Sequence, residues 1–209
     1  RFAQKINYSF INKFSECWVP DSAGRINLAG TLSHPQQLPS IPVKYIGVLS
    51  RFHLAATTQN IDMLVLISGP EPQRSLFENI LLEQLISREE KIVVVRGLPG
   101  ATTLPPVQKK NITFYNHCSA NELNQLILQS KSIIARCGYS TIMDLVSLQR
   151  GAVLVPTPGQ TEQEWLGNYL ADKKIFITAA QEKFNLQQEL EKLDTLPGNP
   201  ILFTTLYEE

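Results

Sequence analysis

The stretch of this 209-residue chain with the most chemical content is "RCGYSTIMD", Arg136 to Asp144. An apolar run ends in arginine, turns at Cys137-Gly138 and starts a helix with hydroxyl residues. Backbone N–H groups at such a turn, with the positive end of a helix behind them, suit a phosphate or another anion. Gly138 lets a ligand come close to the backbone, Tyr139 follows it, and Ser140 or Thr141 can cap the helix while offering a hydroxyl or an amide. Asp144, about one turn further on, is placed to accept hydrogen bonds from a pair of vicinal hydroxyls. Arg136 ends a strand that reads as buried, where a guanidinium calls for an anion or a carboxylate nearby.

Two other stretches have the same character. In "SGPEPQR", Ser68 to Arg74, Gly69 permits a sharp turn, Pro72 suits a first helical turn, and Arg74 adds a cation for an anionic group. In "PTPGQTEQEWL", Pro156 to Leu166, two prolines stiffen a loop before Glu162 and Gln163 open a helix with groups that bind sugar hydroxyls. Taken one at a time, these features read equally well as strand-to-helix turns, a capped helix with a solvent-facing Asp144, and an acidic first turn that complements a helix dipole. Neither a GxGxxG fingerprint nor a P-loop is present. His117 beside Cys118 lacks a neighbouring carboxylate to orient it, which favours an ordinary loop over a nucleophile pair. Trp165, in an amphipathic helix, reads as core.

The elements that must position these residues follow from periodicity. Near-continuous apolar runs predict strands at 43–49, 62–68, 91–97, 112–116, 132–136, 152–156 and 175–178. Amphipathic segments predict helices at 73–85, 120–129, 140–148, 162–172 and 185–193. The alternation, with strands apolar on both faces, predicts an α/β, Rossmann-like, doubly wound parallel sheet covered by helices on both sides. Ligands in such sheets sit beyond the carboxyl ends of the strands, where the three stretches above fall. Residues 1–20 read as a helix and a short strand ending an earlier domain, and residues 21–42, rich in Gly, Ser and Pro, as loop and linker. A start at Arg1 inside a helix suggests a piece of a longer protein.

Composition is that of a globular protein, with 43% hydrophobic and 18% charged residues. Nineteen basic and nineteen acidic residues balance, so bulk electrostatics favour neither nucleic acid nor a membrane surface. No run approaches the roughly 18 apolar residues of a membrane span, and no signal peptide is visible, which predicts a cytoplasmic protein. Cys17, Cys118 and Cys137 are odd in number and far apart and read as free thiols, and the three scattered histidines give no zinc spacing.

Together, "RCGYSTIMDLVSLQRGAVLVPTPGQTEQEWL" resembles the nucleotide-sugar signature of the two-Rossmann-domain (GT-B) glycosyltransferases, and within them the family 28 transferases that move N-acetylglucosamine from a UDP donor to a lipid-linked acceptor. The resemblance rests on Arg136, Gly138, Tyr139, Ser140 with Thr141, Asp144, Pro156 with Pro158, and Glu162 with Gln163. It implies that the chain is the C-terminal half of a GT-B fold: residues 1–42 the tail of the acceptor domain and linker, residues 43–209 the donor-binding domain. It implies that Asp144 holds the ribose, that Gly138 to Thr141 face the diphosphate, that Glu162 and Gln163 contact the donor sugar, and that Gln160 belongs to the donor site. Ser68, Gly69 and Arg74 take the place of the family's first phosphate-side loop, and Phe114 to Cys118, with Tyr115 and Asn116, the place of the base. The family's acid is most often Glu and an Asn often stands where Leu166 does; many members have His at the position of Arg136.

The resemblance further implies a hexosyltransferase whose general base lies on the missing domain, so that this half alone binds donor without efficient transfer. With no DxD motif, no obligatory metal and no cofactor are expected. The expected acceptor is lipid-linked or a glycan, with peripheral association of the full-length protein at the inner face of a membrane, and no nucleic acid. Two alternatives share the fold: a UDP-sugar 2-epimerase or hydrolase, and a binding module without chemistry.

Overall fold

The computed structural model describes residues 2–107 and 109–196. They form two units, one ending at Leu49 and the other beginning at Ser50. Residues 197–209, included in the expected donor domain, lie outside the described residues.

The first unit contains helix α1 (Phe2–Ile11), strand β1 (Cys17–Val19), a 3-10 turn (Gly30–Leu32) and strand β2 (Val43–Tyr45). β2 was expected to open the large parallel sheet. It runs parallel to β1 instead, with Cys17 opposite Val43. The division between units therefore follows Leu49, not Pro42. A short strand's own pattern does not encode which strand it pairs with. The stretch between β1 and β2, expected as open linker, is folded around one carboxylate. Asp21 is fully buried and accepts from the backbone N–H of Ser22 (2.9 Å), Leu28 (2.9 Å) and Ala29 (3.0 Å) and from Ser33 Oγ (2.6 Å).

The second unit is a six-stranded, all-parallel sheet in the order β5-β4-β3-β6-β7-β8. Its strands are β3 (Ile61–Leu66), β4 (Ile92–Val95), β5 (Ile112–Tyr115), β6 (Ser130–Arg136), β7 (Val153–Val155) and β8 (Ile177–Thr178). The helices between and after them are α2 (Gln73–Leu85), α3 (Ala120–Gln129), α4 (Tyr139–Ser147), α5 (Thr161–Asp172) and α6 (Leu186–Thr195). On one face Met63, Val65, Ile92, Val94, Ile134 and Val153 pack with Phe77, Leu81 and Leu85 of α2 and with Leu186 at the start of α6. The alternate residues Leu64, Ile133, Ala135 and Leu154 are equally buried and point the other way, as the period of two requires. Both faces are therefore covered, which is why the strands read as uninterrupted apolar runs.

Local signals set the helix ends. Ser119 and Glu122 form a reciprocal capping box on α3, and Asn185 caps α6 through the Gln188 N–H. α4 starts after Gly138 with no side-chain cap. The chain runs outward from β3 in one direction through β4 and β5 and in the other through β6, β7 and β8, so the topological switch point lies between β3 and β6.

Candidate functional site

At that switch point the ends of β3 and β6 release Ser68-Gly69 and Cys137-Gly138, and β7 beside them releases Pro156 to Gln160. Ser68 and Gly69 are exposed. Gly69 has φ +107°, a conformation other residues rarely adopt, and a Cβ there would lie 3.5 Å from Thr157 Oγ1. The β3 and β7 loops thus approach each other past the end of β6. Gly138 differs, because φ −81° suits any residue and a Cβ would meet nothing nearer than Thr141 Oγ1 at 3.9 Å. Among the described residues no neighbour demands glycine there. Above it the first turn of α4 presents Tyr139 and Thr141, both half-buried, and Ser140, which is exposed.

Arg136 lies beneath this turn, only 1% exposed. Its guanidinium donates to the carbonyl of Gln73 at 2.8 Å and, at longer range, to those of Pro156 (3.4 Å) and Val155 (3.5 Å). It lies 4.3 Å from the centre of the Phe77 ring. Among the described residues it forms no ion pair, and its buried Nε has no acceptor. Burial lowers its pKa to about 10, so it is a cation at neutral pH held in place by carbonyl dipoles and a ring face. Thr157 Oγ1, 1% exposed at the neighbouring strand end, is likewise buried without a hydrogen-bond partner among the described residues. The Cys137 thiol between Arg136 and Gly138 is pushed up to about 12 by burial and is inert.

Asp144 is half-buried on α4. Burial raises its pKa, opposed by a hydrogen bond from Ser50 and by the charge of Arg51. Ser50 Oγ donates to Asp144 Oδ1 at 2.5 Å. On the β7 side, Gln163 Oε1 accepts from the Thr157 N–H at 3.0 Å, Gln163 Nε2 donates to Gln160 Oε1, and Glu164 accepts from the Gly159 N–H at 2.9 Å. These bonds fix the loop; Glu162 stays exposed at its rim. Behind the loop a cleft of about 480 Å³ runs between Pro156, Pro158, Gly167 and Asn168 on one side and Thr178 to Glu182 on the other.

Two expected site residues are engaged elsewhere. Arg74, expected as a cation for an anion, is 4% exposed and paired with Glu71 (2.6 Å) and Glu78 (3.0 Å). Its charge is neutralised inside the protein. Asn116, expected near a base, accepts from Arg96 Nη1 at 2.7 Å and donates to the carbonyls of Ala101 (2.9 Å) and Thr103 (3.2 Å), so it braces the loop after β4. Tyr115 beside it is exposed and lines a small hollow with Cys118, Asn121 and Leu126. Ser50 and Arg51 escaped the sequence reading, although "LSRF" places a hydroxyl and a cation directly after an apolar run.

A doubly wound parallel sheet with a glycine turn, a helix N-terminus and a buried cation at its switch point defines a class, the Rossmann-like half of a GT-B fold. Solved structures of that class superpose on it. "Spinosyn Forosaminyltransferase SpnP" matches with a TM-score of 0.61 at 11% identity, over 92% of this chain and 49% of that one. The glycosyltransferase SnogD from Streptomyces nogalater matches with a TM-score of 0.52 at 14% identity, over 81% of this chain and 46% of that one. The model of the glycosyltransferase family 28 C-terminal domain matches residues 64–200. The chain belongs to glycosyltransferase family 28, of which it carries the C-terminal domain.

Among curated proteins, the UDP-N-acetylglucosamine--N-acetylmuramyl-(pentapeptide) pyrophosphoryl-undecaprenol N-acetylglucosamine transferase of Bradyrhizobium sp. (strain ORS 278) is 23% identical over 87% of this chain and 49% of its own length. The chain spans about half the length, or less, of the curated relatives it matches. Among the described residues no helix is long and apolar enough to cross a membrane.

Proposed function

We propose that this chain is the donor-binding half of a hexosyltransferase, and that it binds a UDP-sugar across the carboxyl ends of β3, β6 and β7. The observation that carries the reading is Arg136, a buried cation that among the described residues has an orphaned Nε and no carboxylate partner, directly beneath a glycine turn that no described neighbour requires to be glycine. A diphosphate at the start of α4 supplies the missing negative charge. In that pose Gly138 to Thr141 face the diphosphate, Asp144 takes a ribose hydroxyl, and Ser68-Gly69 closes the phosphate side. Gln160, Glu162 and Gln163 stand on the sugar side, and the base lies towards the β5 end near Tyr115.

An acceptor hydroxyl attacks the anomeric carbon while UDP departs. Charge grows on the diphosphate as the bond breaks, and a preorganised cation and helix N-terminus stabilise it most at that moment. These groups need no metal to act. The acceptor and general base belong to the remainder of the protein. By likeness to the curated relative, whose name specifies a UDP-N-acetylglucosamine donor and an undecaprenol-linked acceptor, we assign N-acetylglucosamine as donor sugar and a lipid-linked acceptor.

Calorimetric titration of the chain with UDP, UDP-N-acetylglucosamine, ADP and NAD tests this reading. Selective binding of the uridine ligands is expected, strongly weakened but still measurable in Asp144→Ala. Equal binding of ADP and UDP, or none of any, overturns it.

A further inference from the structure

Asp144 is not free to orient itself. Ser50, 94 residues earlier, donates its single hydroxyl proton to Asp144 Oδ1 at 2.5 Å, and Ser50 Oγ in turn accepts the Phe52 N–H at 3.0 Å. The hydroxyl is thereby aligned from both sides. The segment that carries it is fastened at two further points. Phe52 is 7% exposed, and the buried Asn124 on α3 accepts from the His53 N–H (3.0 Å) and donates to the His53 carbonyl (3.2 Å). A chance surface contact would not come with such anchoring. Asp144 Oδ2 accepts no hydrogen bond among the described residues.

We infer that Ser50 is a positioning residue of the donor site, which locks one oxygen of Asp144 so that the other is presented to a ribose hydroxyl. The inference rests on the donor-site reading above and adds a residue that the signature does not contain. Two consequences follow from the geometry. Removing the hydroxyl frees the carboxylate to rotate, which weakens its grip on a ligand hydroxyl and on nothing else in the nucleotide. It also removes the bond that opposes the effect of burial on Asp144, and leaves Arg51 as the charged neighbour acting on it.

The test combines Ser50→Ala, Ser50→Thr and Asp144→Ala with calorimetry, and carbon-13 NMR titration of the Asp144 carboxyl. Ser50→Ala is expected to weaken UDP roughly tenfold, the scale of one hydrogen bond to a charged group. Ser50→Thr, which keeps the hydroxyl, restores the affinity. The loss should vanish against 2′,3′-dideoxyuridine diphosphate, which offers no ribose hydroxyl, and in the Asp144→Ala background. The Asp144 titration should move to higher pH in Ser50→Ala.

Tighter UDP binding by Ser50→Ala overturns the inference, since Ser50 would then be a plug standing where the ribose hydroxyl goes. A loss equal for UDP and the dideoxy analogue overturns it too, as a general structural effect. If wild type binds no UDP while the Asp144 titration still shifts, the donor-site reading has failed and the hold of Ser50 on Asp144 stands. An unshifted titration refutes that hold itself.

Discussion

Replacing Arg136 by methionine separates what the residue does for the fold from what it does for a ligand. Burial lowers its pKa to about 10. At about 1.4 kcal/mol per pH unit, keeping it charged inside the protein costs about 3 kcal/mol relative to the unfolded chain. The sign follows from the depressed value. The fold binds this proton less tightly than the unfolded chain does, so the cost is fully present at pH 7 and is relieved only as pH rises above about 10. Against it stand one short hydrogen bond to the Gln73 carbonyl, worth about 1.5–3 kcal/mol for a charged donor, and the Phe77 face, worth about 1–2 kcal/mol. The two sides nearly cancel. Methionine fills much of the same space, so Arg136→Met should change unfolding stability by no more than about 2 kcal/mol in urea titration. UDP affinity, which depends on the charge, should fall about 30- to 100-fold, equivalent to about 2–3 kcal/mol. Loss of about 5 kcal/mol of stability with UDP affinity unchanged would falsify the assignment and make Arg136 a structural residue.

Three further predictions concern separate parts of the molecule. UDP affinity should fall on the acid side at a pH above the ordinary aspartate value, because burial raises Asp144, against the Ser50 hydrogen bond and the Arg51 charge, and the protonated form no longer holds the ribose hydroxyl as well; Asp144→Asn should bind weakly and lose that limb in calorimetry across pH. Glu78→Ala removes the buried carboxylate that Arg74 and Arg96 share, leaving Arg74 with Glu71 and Arg96 with Asn116 and the Thr103 carbonyl, and should cost about 3 kcal/mol in chemical denaturation. Burial would raise Glu78, yet its hydrogen bonds from Arg96 and Arg74 outweigh that and hold it below the usual range; its contribution is therefore present above the unfolded carboxylate value and fades as pH falls through the folded one. Gly97→Ala, at φ +69° with its Cβ 2.4 Å from the Ile67 carbonyl oxygen, should lower stability by more than about 2 kcal/mol, whereas Gly100→Ala, with open space around it, should leave the thermal midpoint nearly unchanged.

What the sequence made legible was whatever depends on local pattern. The apolar runs of β3, β4, β6 and β7 announced a sheet buried on both faces, and the glycine turns at Gly69 and Gly138 marked the ends that matter. What it hid depends on partners far away along the chain. Arg74 looked like a ligand cation because its buried partner Glu78, one helical turn on, gave no sign of burial in a helix of mixed polarity. Asn116 carries no pattern that reveals Arg96 beside it, since the two meet only through the parallel pairing of β4 and β5. β2 displayed strand composition without displaying its partner. Ser50 meets Asp144 across 94 residues, and only the folded sheet and the Asn124 anchor bring them together.

In the proposed pose a uridine diphosphate group sits at the β3–β6 switch point with its phosphates on the first turn of α4. Amide chemical-shift mapping by NMR as UDP is added reads that placement residue by residue. The largest changes are expected at Gly138 to Thr141, Asp144, Ser68-Gly69 and Thr157, and none along α6. Saturable binding that shifts the α6 and β8 amides and spares Gly138 to Thr141 would contradict it.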